Sequence, residues 1–260
     1  MYKSPELDQI RQRIDALDNQ VHDLLMERAD LIMQVSAEKK KHGIQIVQPA
    51  REARMIRRLI KRHRAPLPEE TIVRIWRELV GSISLLQTGL SVAVTQKLPE
   101  YWDMARDYFG TVLPMQKENS EVDVLKLVKD DKVNFAVLPS PEENEPDAWW
   151  LSLMEDTSLK VIQRLPFGDK ENYKYDRHPA LVVAKAGFDT SDDDRSLIAM
   201  PSAHLNEAQK IFKVLEVYSS SGNVLLEVDE YILPNDKRLN AIGAISLGGY
   251  PSPLKYKDGK

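Results

Sequence analysis

The chain has 260 residues, 42% of them hydrophobic, a formal net charge of −4 and no cysteine. That length has room for two modest domains. The missing cysteines exclude disulfides and thiolate metal sites and fit a reducing, cytoplasmic setting. The start, Met1–Asp8, is polar rather than signal-like, and no stretch approaches the roughly twenty apolar residues of a membrane span, so no membrane partner is expected.

Charge divides the chain unevenly. Residues 1–90 hold 16 Lys+Arg against 12 Asp+Glu, and the remainder holds 20 against 28. A basic first part is therefore joined to an acidic second part. The first suits an anionic ligand; the second argues against broad nucleic-acid binding.

The first predicted element is a long helix from about Leu7 to His42. Leu7, Ile10, Ile14, Leu17, Val21, Leu24, Arg28, Leu31 and Val35 follow at alternating steps of three and four, the a/d spacing of a helix packed along its length against other helices. Arg28 occupies a seam position where leucine is expected. A guanidinium there is costly unless an anion meets it. Lys39 lies eleven residues on, close to three full turns, so both cations point the same way, about 16 Å apart. The gap suits a small dianion. Arg11 lies about 25 Å from Arg28 along the axis and reaches the same ligand only from an antiparallel second copy. A helix about 50 Å long also exceeds what a compact ninety-residue monomer contains, and a homodimer is expected.

Gly43 closes this helix and Pro49 opens the next, which runs from Ala50 to about Arg64 with Met55, Ile56, Leu59 and Ile60 on its apolar face. Ala65-Pro66-Leu67-Pro68 breaks it. A third helix, from about Pro68 to Leu86, turns Ile72, Ile75, Trp76, Leu79, Val80, Ile83 and Leu86 inward. From Leu90 short apolar runs alternate with helical ones. Ser91–Thr95, Thr111–Met115, Phe135–Pro139, Leu159–Leu165 and Ala180–Ala184 read as strands. Glu100–Phe109, Val122–Lys129 and Trp149–Glu155 read as helices. This alternation predicts an α/β region. Gly168–Pro179 reads as a loop and Asp189–Arg195 as a charged linker. The last segment offers strand Leu197–Met200, helix Leu205–Tyr218, strand Val224–Ile232, helix Asp236–Ile242 and strand Ala244–Leu247, then a loose tail after Pro253.

The remaining clusters carry ordinary readings. Arg51, Arg54, Arg57, Arg58, Lys61, Arg62 and Arg64 cover several faces of one short helix, which fits a solvated surface better than nucleic acid. Trp149-Trp150 fits core packing better than a ligand platform. The five histidines lack metal-ligand spacing, and there is no glycine-rich phosphate loop.

Together, L-D-Q-I-R-Q-R-I-D-A-L-D at 7–18, L-L-M-E-R at 24–28, A-E-K-K at 37–40 and P-A-R-E at 49–52 strongly resemble the all-helical class of chorismate mutases over about residues 5–90. The resemblance implies an intertwined dimer of three-helix chains that converts chorismate to prephenate. It implies that Arg28, with Arg11 from the other chain, holds the two carboxylates. Lys39 would donate to the ether oxygen of the breaking bond, and Gln87 to the same oxygen from the opposite side. Glu52 would accept from the ring hydroxyl, and Arg51 is a further cationic position. Gln48 stands where the family often has an aspartate. Ile83 stands where a serine is expected, with Ser84 adjacent. The implied reaction is a unimolecular rearrangement that needs fixed cations and amide donors rather than a nucleophile, metal or cofactor. A pyruvate lyase acting on isochorismate shares the fold and nearly the same cations. A bifunctional mutase–dehydratase and a non-catalytic regulatory dimer are further alternatives.

In the second part, N-F-A-V-L-P-S-P-E-E-N at 134–144 and L-K-V-I-Q-R-L-P-F at 159–167 look like the first lobe of prephenate dehydratase. L-L-E-V-D-E-Y at 225–231 and L-G-G-Y-P at 247–251 look like the end of its ACT regulatory domain. The Thr-Arg-Phe motif of that dehydratase does not occur, so this half is expected to be a shrunken relic without dehydratase activity. The expected fold class is α+β multidomain: a helical mutase domain at 1–90, a degenerate α/β domain at 91–188 and a short ACT-like segment at 196–253.

Overall fold

The computed structural model describes residues 4–43, 47–64, 66–169 and 178–256, and for 85–88 the backbone alone. It divides into two compact units, Met1–Ile46 and Val47–Lys260.

The first unit is one helix, α1 (Pro5–Lys41), of 37 residues and therefore about 55 Å long. Its ends follow from local chemistry. The Ser4 hydroxyl accepts from the Leu7 N–H, Pro5 opens the first turn, and Glu6 and Asp8 face the positive end of the dipole. Lys39, Lys40 and Lys41 fill the last turn, and Gly43 takes the positive φ that ends the helix. The expected stripe is present and uncovered within the chain: Leu7, Ile10, Ile14, Leu17, Val21, Leu24, Leu31 and Val35 are 38–63% exposed.

The second unit begins with α2 (Pro49–Arg62) and α3 (Glu69–Thr88), then runs β1 (Val92–Thr95), α4 (Glu100–Phe109), β2 (Met115–Glu118), α5 (Glu121–Lys129), β3 (Phe135–Pro139), α6 (Leu151–Glu155), β4 (Lys160–Leu165), β5 (Gly168–Asp169) and β6 (Ala180–Ala184). There follow β7 (Asp194–Pro201), α7 (Leu205–Ile211), β8 (Val214–Ser220), β9 (Asn223–Val228), α8 (Lys237–Ala241), β10 (Ile245–Pro251) and β11 (Leu254–Lys255). The main sheet has the order β2-β1-β3-β6-β4-β10-β7-β9-β8. β2, β1 and β3 are parallel, and the apolar runs of β1, β3 and β6 are buried throughout, as strands covered on both faces must be. The polar β2 takes the edge.

The chain from β7 to β10 is a β-α-β-β-α-β unit with strand order β10-β7-β9-β8, the ferredoxin-like arrangement. It joins the rest of the sheet where Gly248 of β10 pairs with Val161 of β4. Gly248 has φ 108°, and a Cβ there would sit 2.2 Å from the Val161 carbonyl oxygen, so this junction requires glycine.

Four expectations are corrected. The helix read over 205–218 stops at Ile211, and Val214–Ser220 is the edge strand β8, hydrogen-bonded to β9. The strand read at 111–115 begins at Met115 instead. The charged linker at 189–195 is a hydrogen-bonded knot. The Asp194 carboxylate is buried and accepts from the Thr190 and Ser191 hydroxyls and the Ser191 N–H. The tail after Pro253 is not wholly loose, because Leu254–Lys255 pair with Gly168–Asp169. Of the loop read at 168–179, residues 170–177 lie outside the described residues. Trp149 and Trp150 are buried in the core, as read.

Candidate active site

Helix α1 carries three of the predicted site residues. Arg28 is half-buried on the apolar stripe, has no ion-pair partner among the described residues, and is held below its ordinary pKa by burial alone. Among the described residues nothing offsets the desolvation of this guanidinium. Lys39 is also half-buried, in the last turn. Arg11 is exposed and lies 3.5 Å from the Asp8 carboxylate one turn earlier, a pairing of little energetic weight.

Helices α2 and α3 carry the rest. Gln48 sits at the N-cap of α2, half-buried, and makes no capping hydrogen bond with its side chain. Arg51 is exposed. Glu52 and Ser84 line one small cavity of about 20 Å³ together with Arg77, Gly81 and Tyr108. That space suits a single water, far short of a substrate the size of a six-membered ring with two carboxylates. Gln87 lies in the last turn of α3, and its side chain is outside the described residues.

Sequence reasoning missed the residue that governs Glu52. Arg77 is 4% exposed, and its Nη1 donates to Glu52 Oε2 at 2.9 Å. Its Nε donates to the Tyr108 carbonyl oxygen at 2.8 Å. The guanidinium carbon lies 3.8 Å from the centre of the Tyr108 ring and 5.6 Å from that of Phe167. Burial pulls the Arg77 pKa down, but its partners outweigh that and the net direction is upward. Burial pushes the Tyr108 phenol far above its ordinary value, so that ring stays neutral and Glu52 supplies the countercharge. Val73, Arg77 and Gly81 recur at steps of four, and among the described side chains these are the buried positions of α3. Of the stripe expected to face inward, Ile75 is exposed, and Ile72, Trp76, Leu79, Val80 and Ile83 are only half-buried; Leu86 lies outside the described side chains. α3 thus packs against α4 along an unexpected line. A Cβ at Gly81 would lie 1.9 Å from the Phe109 carbonyl oxygen.

The arginines of α2 are not simply a solvated face. Arg57 donates to the carbonyl oxygens of Ser191, Asp193 and Ser252 and to the Ser191 hydroxyl, at 2.8–3.0 Å. Arg54 donates to the Thr190 carbonyl at 2.6 Å. Both side chains tie α2 to the entry of β7 and the exit of β10. Among the described residues no group of three or more acidic or histidine side chains is arranged to hold a metal ion, and no helix is long and apolar enough to cross a membrane.

Residues 10–88 match the family model of chorismate mutase type II. The chain is 28% identical over 151 residues to a bifunctional chorismate mutase/prephenate dehydratase of Stutzerimonas stutzeri, a match covering 56% of this chain and 41% of that protein. It is 26% identical over 139 residues to the protein so named in Aquifex aeolicus, covering 52% and 38%. The match thus spans about two fifths of the length of these relatives. Among solved structures, prephenate dehydratase from Streptococcus mutans aligns with a TM-score of 0.45 at 16% identity, over 65% of this chain and 100% of that one. Prephenate dehydratase from Arthrobacter aurescens in complex with L-Phe aligns with a TM-score of 0.46 at 10% identity, over 66% and 91%.

Proposed function

We propose that this chain, whose residues 10–88 match the family model of chorismate mutase type II, rearranges chorismate to prephenate and works as a homodimer. The observation that carries the reading is Arg28: a half-buried guanidinium on an apolar seam that no carboxylate of the described residues meets, eleven residues before a second cation on the same face. Such a position calls for an anionic ligand. The exposed stripe of α1 supports the dimer, because a helix about 55 Å long does not leave an apolar face in water.

In this reading the substrate's two carboxylates take Arg28 of one copy and Arg11 of the other. That pairing fixes the folded shape in which the carbon–carbon bond forms as the carbon–oxygen bond breaks. Lys39 and Gln87 donate to the ether oxygen as negative charge develops on it, and Glu52 accepts from the ring hydroxyl. Arg51, Gln48 and Ser84 are further substrate-binding positions in this reading. No proton changes hands, so the residues have only to hold and to polarise. The divisions at 1–90, 91–188 and 196–253 remain part of the proposal. So does the ACT-like identity of the last segment, which the β-α-β-β-α-β order of β7 to β10 supports.

The test is turnover of chorismate by the purified full-length chain and its Lys39→Ala variant. Prephenate should accumulate with the wild type, and the variant should lose orders of magnitude in kcat while keeping its helical content. Release of pyruvate from isochorismate with no chorismate turnover would assign the lyase instead. Inertness toward both substrates would refute an enzymatic role for α1.

A further inference from the structure

We propose that Arg77 is a positioning residue for Glu52, so that the α/β part of the chain sets the geometry of a substrate-contacting group on α2. The inference rests on the mutase reading above. A glutamate in the first turn of a helix swings through several rotamers, and one that must meet a single hydroxyl gains from being held. Arg77 holds it from behind. One Glu52 oxygen accepts from Nη1, which leaves the other to face a ligand.

Arg77 in turn has almost no freedom. Its Nε is fixed by the Tyr108 carbonyl, its plane lies over the Tyr108 ring, and Phe167 closes a further side. Tyr108 belongs to α4 and Phe167 follows β4, both beyond the segment that matches the mutase family. Arg77 lies inside that segment, but the contacts that hold Arg77 come from residues that the family match does not contain. The fork geometry matters as well. Lysine supplies the same charge but cannot bond Glu52 and the Tyr108 carbonyl from one rigid plane.

Four full-length proteins test the proposal: wild type, Arg77→Lys, Glu52→Ala and the double variant, each assayed for kcat and KM on chorismate and for thermal midpoint. Arg77→Lys keeps the buried charge and so keeps the fold. We expect it to lower kcat/KM by about tenfold to a hundredfold, the penalty for misplacing a reacting contact. In the Glu52→Ala background the same substitution should change kcat/KM less than about twofold, since nothing remains to be positioned. A merely structural arginine would give equal losses in both backgrounds; that result, or an Arg77→Lys variant with wild-type kinetics, overturns the proposal. Should Glu52→Ala not fold, Glu52→Gln keeps the shape and the same comparison decides. Absence of turnover in the wild type would overturn the mutase reading and this proposal together. Wild-type turnover with additive losses would overturn this proposal alone.

Discussion

Replacing Leu17 and Leu24 of α1 by glutamate should separate the proposed dimer without unwinding the helix. The two side chains are 58% and 63% exposed within the chain. Full burial of a leucine is worth roughly 1.5–3 kcal/mol, so covering the remaining surface contributes about 1–2 kcal/mol each. A symmetric dimer buries both leucines from both copies, which brings the loss to about 4–7 kcal/mol, or about three to five orders of magnitude in the dimer dissociation constant. Glutamate forms helix nearly as well as leucine, so intrinsic helicity should change little. Sedimentation equilibrium across a concentration series measures the association, and circular dichroism checks the helix. Turnover should fall with dimerisation, because Arg11 then has no second active site to enter, and should recover partly at high protein concentration. A double variant that dimerises as tightly as the wild type, or a wild type that is monomeric yet fully active, would refute the argument from the stripe.

Other expectations follow from single contacts. Arg57→Ala removes the bonds to Ser191, Asp193 and Ser252 and should cost about 2–4 kcal/mol in urea denaturation, where a loss below about 0.5 kcal/mol would show that the tether is idle. Gly81→Ala places a methyl group 1.9 Å from a backbone oxygen, which cannot yield as a side chain would. It should destabilise by about 1–3 kcal/mol or more through separation of α3 from α4. Burial raises Tyr101 and Tyr218 to about 12 and Tyr108 and Tyr250 further, from an ordinary value near 10. Their native pKa values exceed the unfolded ones, so the stability they contribute is present below pH about 10 and is lost as the pH rises beyond it. Of the nine tyrosines, these four should therefore ionise only as the chain unfolds, giving a late cooperative phase in the phenolate absorbance. One smooth transition near the ordinary value would contradict their burial.

What could be read from the sequence was what short-range chemistry decides. α1 was legible because its caps, its terminal charges and its heptad lie within the helix itself, and Arg28 stood out against eight apolar neighbours. The strand runs of β1, β3 and β6 were legible because strands buried on both faces are continuous apolar runs. β8 was not: Phe212 and Leu215 continue the three-and-four spacing begun by Leu205 and Ala208, and only pairing with β9 makes the segment extended. The hidden face of α3 shows the same limit more sharply. A helix with two neighbours carries two stripes, and periodicity reports the more apolar one, Ile72 to Ile83. The other stripe, Val73-Arg77-Gly81, holds an arginine and a glycine, residues that score as surface. Their burial makes sense only once α4 brings the Tyr108 ring and the Phe109 carbonyl against them. The two arginines of this chain that sit in apolar stripes therefore differ in kind. Arg77 was invisible because its countercharge, Glu52, is supplied by the fold. Arg28 was conspicuous, and no described residue supplies its countercharge, which is why a bound dianion is proposed on α1 rather than beside the better-packed pair.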